Sequence, residues 1–306
     1  MGGHCLGVEV LMTGPSSIAP ALLTTPQSAP PPGVVEEYRD AGGVRFRYLR
    51  GGIAEGTPVL FLHGWPTWAE VWLPVARIIG TRRPWIAIDL PCHNRSSNLP
   101  GADHSVPAYR RAVSAFVDAM GLARFAAVGN SLGGGLAISL AVDRPHQVER
   151  LAILDAAGLT AKFPSKTSRL YLPFILGSYF RAPPVGAVHR LLTRAVFFDQ
   201  RFADENWIQA ISAAWRPPGQ RRAYRQTALA LRRPEASVAK SLPRIDVPTL
   251  VISGKQDVQF PWQSAMDASR QIPNARFVSI EKAGHFPMVE RPDETSQALV
   301  EFLAGP

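Results

Sequence analysis

From residue 59 onward, short apolar runs alternate with stretches of helical periodicity, and this alternation constrains the fold more than any other feature. Each run is brief, rich in residues that favour strands, and followed by a turn. Such a pattern is typical of a mostly parallel sheet covered by helices. The runs span residues 59–62, 85–89, 125–128, 151–154, 249–253 and 276–280.

The segment that precedes these runs predicts one edge of the sheet. Residues 38–50, broken at Gly42 and Gly43, are expected to form an antiparallel hairpin. The chain is therefore predicted to be an α/β protein with a doubly wound, mostly parallel sheet of about eight strands. The helices that cover it are expected at residues 69–79, 108–120, 132–143, 262–271 and 293–303.

One interval is too long for a single crossover helix, because the runs ending at Leu154 and beginning at Thr249 are far apart. It shows helical periodicity at 187–193, 206–214 and 221–231, punctuated by prolines. We therefore predict a helical cap over 158–242, inserted into an α/β core made of 34–157 and 243–306. Residues 1–33 contain six prolines and a single charged side chain, and are expected to form a disordered leader.

Composition limits the setting of the protein. The chain is 46% hydrophobic and 19% charged, and its longest apolar stretches are shorter than the roughly 20 residues that span a bilayer. We expect no membrane span. Two cysteines, Cys5 and Cys92, are too few for a disulfide framework, which favours a reducing, cytoplasmic location.

The net charge is +9, but no nucleic-acid motif accompanies it, so no nucleic-acid partner is expected. The charge is concentrated at residues 159–242, which hold 14 Lys or Arg against 4 Asp or Glu. One hypothesis is that this charge attracts anionic substrates, and the alternative is a solvated, arginine-rich face.

The strongest chemical signal is Gly129-Asn130-Ser131-Leu132-Gly133, which lies between an apolar run and an apolar helix. This is the strand, turn and helix context of a G-x-S-x-G nucleophile elbow. The turn holds the serine in a strained conformation, and the glycines allow strand and helix to approach closely. Ser131 is therefore the predicted nucleophile.

Two histidine loops follow strands at the expected carboxyl edge. His63-Gly64-Trp65-Pro66 follows the run 59–62, and there the Trp65 N–H is predicted to join the Leu132 N–H in an oxyanion hole. His63 itself is interpreted as structural. His285, in Ala283-Gly284-His285-Phe286, follows the last strand and is predicted to be catalytic.

With these pieces in place the chain resembles the α/β-hydrolases over nearly all of residues 36–304. The matching motifs are the two histidine loops, the elbow, Asp89-Leu90-Pro91 and Gly254-Lys255-Gln256-Asp257. The family commonly has glycines around the histidine after Asp-Leu-Pro, whereas this chain has Cys92 and Asn94 around His93. The resemblance implies that Ser131 attacks an acyl carbon, His285 moves the proton and Asp257 orients the imidazole.

The acid has two sequence candidates, because Asp155 also follows an apolar strand. We predict Asp257, since one helix and one strand separate it from His285 and the order Ser, Asp, His is usual for this fold. No metal and no organic cofactor are implied. The expected partner is a small-molecule substrate, and the oligomeric state stays open.

The loop Trp65-Pro66-Thr67-Trp68 also resembles those of haloalkane dehalogenases and epoxide hydrolases, but a serine cannot replace their carboxylate nucleophile. Carboxylic-ester hydrolysis is favoured. Carbon–carbon bond hydrolysis of ring-cleavage products is the alternative, and perhydrolase or haloperoxidase activity and a non-catalytic ligand receptor also stay open. Trp65 and Phe286 are predicted to contact substrate. Trp207 and Trp215 are further candidates for the pocket, whereas Trp68 and Trp72 are interpreted as core residues.

Overall fold

The computed structural model describes residues 29–159, 194–203, 205–214 and 218–305, so most of the predicted leader lies outside the described residues. An eight-stranded sheet forms the centre of the molecule, in the order β1-β2-β4-β3-β5-β6-β7-β8. From β4 to β8 all neighbours are parallel, as predicted for this class. The strands are β1 Val35–Ala41, β2 Val44–Gly51, β3 Val59–Leu62, β4 Trp85–Ile88, β5 Phe125–Asn130, β6 Val148–Leu154, β7 Thr249–Gly254 and β8 Ala275–Ile280.

The predicted edge hairpin is present. Strands β1 and β2 pair antiparallel, with Ala41 opposite Val44 at the turn. Gly42 and Gly43 both have positive φ, at 56° and 77°. Two left-handed residues in succession give the turn type whose twist matches that of the two strands, and glycine adopts it without steric cost.

Helices cover both faces of the sheet, and most lie within two residues of their predicted bounds. The helices whose full extent lies within the described residues are α1 Leu73–Ile79, α2 Val106–Ala119, α3 Leu132–Asp143, α4 Glu205–Ala214, α5 Pro218–Ala230, α6 Trp262–Ser269, α7 Pro287–Glu290 and α8 Pro292–Ala304. The single helix predicted at 69–79 is divided into a 3-10 turn, Ala69–Trp72, and α1. Pro74 accounts for the division, because its ring cannot donate to the carbonyl of Glu70 and would collide with it.

Two cores lie on the two sides of the sheet. On one side α2 and α3 pack on the strands, with Phe46, Phe116 and Phe125 buried between them. On the other side α1 and α8 do the same, and Phe61 stacks on Trp72 at a centroid distance of 4.9 Å. This layered packing fixes the carboxyl edge of the parallel strands, where the predicted catalytic residues lie.

The described part of the predicted cap contains α4 and α5. The helix predicted at 187–193 lies outside the described residues, and the cap boundaries stay predictions. Helix α5 packs directly on the core, because the Tyr109 hydroxyl and Thr227 Oγ1 are hydrogen bonded at 2.8 Å. No helix within the described ranges is both long enough and apolar enough to cross a membrane.

Candidate active site

Ser131 lies at the sharp turn between β5 and α3. Its backbone has φ 52° and ψ −118°, a conformation that costs free energy for any residue with a Cβ. The flanking glycines are required by close approach. A Cβ on Gly129 would lie 2.2 Å from the Gly133 carbonyl oxygen, and one on Gly133 would lie 2.1 Å from that of Leu62. The G-x-S-x-G spacing is therefore a steric requirement of this turn.

His285 and Asp257 are buried and directly hydrogen bonded, with Nδ1 2.7 Å from Oδ2. The other oxygen of Asp257 accepts from the backbone N–H of Gln259 at 2.7 Å and of Phe260 at 3.2 Å. An ionised carboxylate can only accept, so Nδ1 of a neutral His285 carries the proton. Nε2 is then left as the basic nitrogen of the ring.

The loops that carry these two residues lie side by side because β7 and β8 are parallel neighbours. The Gln256 N–H donates to the Ala283 carbonyl at 2.9 Å. A Cβ on Gly254 would lie 1.9 Å from the Gly284 oxygen, so the two backbones are in contact. This arrangement agrees with the short sequence separation used to select Asp257.

Asp155, the other candidate acid, lies at the end of β6 with φ 42° and is fully buried. Its carboxyl accepts from Ser253 Oγ at 2.6 Å and from the Gly254 N–H at 3.1 Å. Its hydrogen bonds therefore go to β7, and no hydrogen bond joins it to His285. Burial, followed by the nearby Asp257 charge, raises the pKa of Asp155 well above its usual range.

Asp155, Asp257 and His285 place one potential metal-ligand atom each within 4.8 Å of one another. The hydrogen bonds just described already use these groups, since Nδ1 of His285 is paired with Asp257 and the Asp155 carboxyl with Ser253 and Gly254. The hydrogen bonds thus form two separate sets, one between His285 and Asp257 and one between Asp155 and β7.

Asn130 connects the elbow to the histidine loop, a role that the sequence did not suggest. Its Nδ2 donates to the carbonyl of His285 at 3.0 Å and to that of Leu154 at 3.2 Å. The side chain is completely buried. The residue before the predicted nucleophile thus supports the backbone that carries the predicted base.

Glu290 is a second residue that sequence reasoning missed. Its Oε1 accepts from the Gly284 N–H at 2.6 Å, and its Oε2 accepts from the Asp199 N–H at 2.8 Å. The His285 N–H donates to the carbonyl of Val196 at 2.8 Å. The segment 194–203 is therefore fastened to the histidine loop, and burial raises the pKa of Glu290 to about 7.

The loop after β3 lies against Ser131. A Cβ on Gly64 would lie 2.8 Å from the Cβ of Ser131. The Gly64 carbonyl accepts from His63 Nδ1, the Thr67 N–H and Thr67 Oγ1, at 2.8, 3.0 and 2.9 Å. In a trans peptide the following N–H points opposite to the carbonyl. These three donors therefore fix the direction of the Trp65 N–H.

His63 is held between two backbone groups. Besides donating to Gly64, it accepts the Leu90 N–H at Nε2 at 2.8 Å. Complete burial lowers its pKa to about 3, so it is neutral and tied into two loops. This environment agrees with its interpretation as a structural histidine.

The loop around His93 keeps the backbone that glycines would favour. Cys92 has φ 67° and Asn94 has φ 47°. Asn94 also donates from Nδ2 to Asp89 at 2.8 Å. Asparagine tolerates the left-handed region better than most residues, whereas Cys92 is in a strained conformation. The two residues that stand where the family commonly has glycines thus both adopt the left-handed region that glycine favours.

The aromatic residues near the site are mostly core residues. Trp68 and Trp72 are fully buried, as interpreted from their spacing. Phe286 is 2% exposed and packs on Phe197 at 5.4 Å, while Trp207 stacks on Trp68 at 5.5 Å. Trp65 is half-buried. Trp215 lies outside the described residues, and substrate contact by Trp65 and Phe286 stays a prediction.

Comparison of the sequence with models of protein families shows which family it belongs to. The model described as "alpha/beta hydrolase fold" matches residues 57–292. The chain belongs to the α/β-hydrolase fold family. The match spans both histidine loops, the elbow and Asp257. It also accounts for the sheet order, with its antiparallel edge and parallel centre.

Relatives within this α/β-hydrolase family differ in chemistry. The chain is 27% identical to the 2-hydroxy-6-oxo-6-(2'-aminophenyl)hexa-2,4-dienoic acid hydrolase of Metapseudomonas resinovorans, over 88% of this chain and 91% of that one. It is 24% identical to the monoacylglycerol lipase abhd6-A of Xenopus laevis, over 89% and 83%. Among solved structures, a bacterial membrane phospholipase A superposes with a TM-score of 0.76 at 29% identity, over 89% and 86%.

Proposed function

We propose that the protein is a serine hydrolase that cleaves a carboxylic ester of a small or medium apolar substrate by acyl transfer. The observation that carries the proposal is the 2.7 Å pair of His285 and Asp257, together with the strained Ser131 at the head of α3. Enzymes that catalyse acyl transfer place a serine at such a strained turn and orient a histidine base with a buried carboxylate.

In the proposed reaction Ser131 Oγ attacks the acyl carbon while Nε2 of His285 accepts its proton. The negative charge that develops on the acyl oxygen is stabilised by the N–H groups of Leu132 and Trp65. Leu132 is suited to this role because it is the first residue of α3, where the N–H has no acceptor within the helix. The alcohol leaves with the proton from His285, and water then releases the acid by the same steps.

Carbon–carbon bond hydrolysis is the second candidate, supported by the 27% identity with the dienoic acid hydrolase. The two reactions share the nucleophile, base and acid but differ in the leaving group, which is a carbanion equivalent in place of an alkoxide. Esters are favoured because lipases and a phospholipase also lie among the similar proteins. A reducing, cytoplasmic setting stays part of the proposal, as does a small-molecule substrate without a cofactor.

A paired assay on the full chain tests the proposal. Purified protein is given p-nitrophenyl esters of increasing acyl length and, separately, a vinylogous 1,5-diketone, with the Ser131→Ala variant as control. We expect ester turnover that the variant loses by about 10⁴-fold or more in kcat. Turnover of the diketone alone would assign the carbon–carbon reaction. Undiminished ester turnover by the folded variant would remove Ser131 as nucleophile.

A further inference from the structure

The outer side of α5 and the turn that follows it carry four exposed arginines. Arg222 and Arg225 lie three residues apart on α5, and Arg232 and Arg233 lie just beyond its end at Ala230. Residues three or four apart lie on the same side of a helix. Leu229, four residues after Arg225, is 40% exposed. We call these five residues the basic face.

The opposite side of α5 fixes the direction of the basic face. Ala223, Tyr224 and Thr227 are completely buried. Tyr224 packs edge-on against His93 at 4.9 Å, and Thr227 is hydrogen bonded to Tyr109 at 2.8 Å. Because these contacts hold one side of α5 on the core, Arg222, Arg225 and Leu229 lie on the side that faces away from it.

The charge of the basic face is not balanced locally. Arg222, Arg232 and Arg233 make no ion pair with any described residue. Glu235 is the one acid among residues 218–240, against six Lys or Arg. These three exposed guanidinium groups are suited to binding a surface that presents many negative charges.

We propose that the basic face docks the protein peripherally on an anionic lipid surface. Arginines near such a surface gain binding energy from its negative potential, and one exposed apolar side chain among them can enter the headgroup region. Leu229 supplies that side chain. A single-stranded nucleic acid fits less well, because stacking on it requires exposed aromatic residues and the basic face has none.

Vesicle co-sedimentation tests this docking independently of the reaction. The full chain with Ser131→Ala, which prevents lipid turnover, is mixed with vesicles of phosphatidylcholine alone or with added phosphatidylglycerol. We expect binding that requires phosphatidylglycerol and weakens with salt. The triple variant Arg222→Glu, Arg232→Glu, Arg233→Glu should bind at least about tenfold more weakly. Leu229→Ala should weaken binding less.

A matched control has the same change in net charge away from α5. Arg39, Arg82 and Arg276 are exposed on β1, beyond α1 and on β8, and the corresponding triple Glu variant should bind vesicles nearly as the parent does. Circular dichroism of both triple variants checks the fold. When Ser131 is kept, both triple variants should turn over a neutral, soluble ester at the rate of the parent.

Three results would overturn the docking proposal. One is an equal loss of vesicle binding in both triple variants, which would indicate an effect of total charge. Another is binding of an oligonucleotide, but not of vesicles, through the basic face. The third combines two observations. The parent does not bind vesicles, and the variant with Glu at positions 222, 232 and 233 has a lower kcat/KM than the parent for a small anionic ester, by a factor that depends on salt. That last result would assign the face to the attraction of soluble anionic substrates.

Discussion

The Nδ2 of Asn130 donates to the carbonyl oxygen of His285 at 3.0 Å, across 155 positions of sequence. The bond joins the peptide preceding the proposed nucleophile, Ser131, to the loop that carries the proposed base. It is completely enclosed, so water cannot replace it readily. The spacing between Ser131 and His285 thus depends on a residue that does not itself take part in the proposed proton transfers.

Replacing Asn130 by Ala should lower kcat for an ester by about 10- to 100-fold, since small misplacements of reacting groups are costly. KM should change less. Steady-state kinetics with thermal unfolding checks this. Ser139→Ala is the control, because it also removes a buried hydrogen bond of α3, to the Gly135 carbonyl at 2.9 Å, but does not contact the histidine loop. Equal kcat for Asn130→Ala and the parent would contradict the positioning role.

Asp257→Asn should depress kcat by about 10⁴-fold, because an amide in place of the carboxylate neither holds the correct tautomer of His285 nor stabilises its cation. Asp155→Asn should lower kcat by less than about tenfold, since the hydrogen bonds of Asp155 go to Ser253 and Gly254. Kinetics of the two variants, each checked for folding, compares them directly. If Asp155→Asn is the inactive variant, the two assignments must be exchanged.

Gly64→Ala should reduce kcat by about tenfold or more while leaving the protein folded. The new Cβ would lie 2.8 Å from the Cβ of Ser131 and 2.9 Å from Asn130 Oδ1, so the loop must move away from Ser131. Gly219→Ala is the control, because the nearest atom to its Cβ is 3.9 Å away. Normal turnover by Gly64→Ala would show that this loop is not needed close to Ser131.

Glu290 should make stability depend on pH. Burial raises its pKa from 4.5 to about 7, against three backbone hydrogen bonds and the Arg291 charge, which lower it. Between these values the folded protein holds a proton that the unfolded chain releases. The free energy of unfolding should therefore fall as pH rises from about 4.5 to about 7, by about 3 kcal/mol at most.

Urea unfolding of the parent and of Glu290→Gln at pH 5, 6 and 7 measures this contribution of about 1 kcal/mol per pH unit. The side chain of Gln cannot titrate, so the difference between the two proteins isolates Glu290 from other buried carboxyls such as Asp155. The parent should lose stability relative to Glu290→Gln as pH rises. The unfolding free energy of the parent minus that of the variant should therefore fall from pH 5 to pH 7. A gap that is constant over this range would contradict the raised pKa.

The sequence by itself determined the parts of the protein that follow from local sterics and periodicity. The strands were recognisable as apolar runs, and the Gly129 to Gly133 turn from its requirement for two glycines around a strained serine. The contact of Asp257 with His285 was foreseeable because a single helix and strand connect Asp257 to the loop of His285. The edge hairpin followed from Gly42 and Gly43.

Tertiary structure alone decided what depends on contacts between distant segments. Asn130 and Glu290 carry no local signal, since an asparagine in a turn and a glutamate before an arginine are ordinary on a surface. The order of the strands buries Asn130 against the His285 carbonyl. The packing of 194–203 buries Glu290 between Gly284 and Asp199. Because both side chains are buried, the protein is stable only if their hydrogen bonds form. A buried polar group without a partner destabilises the fold by more than one hydrogen bond stabilises it.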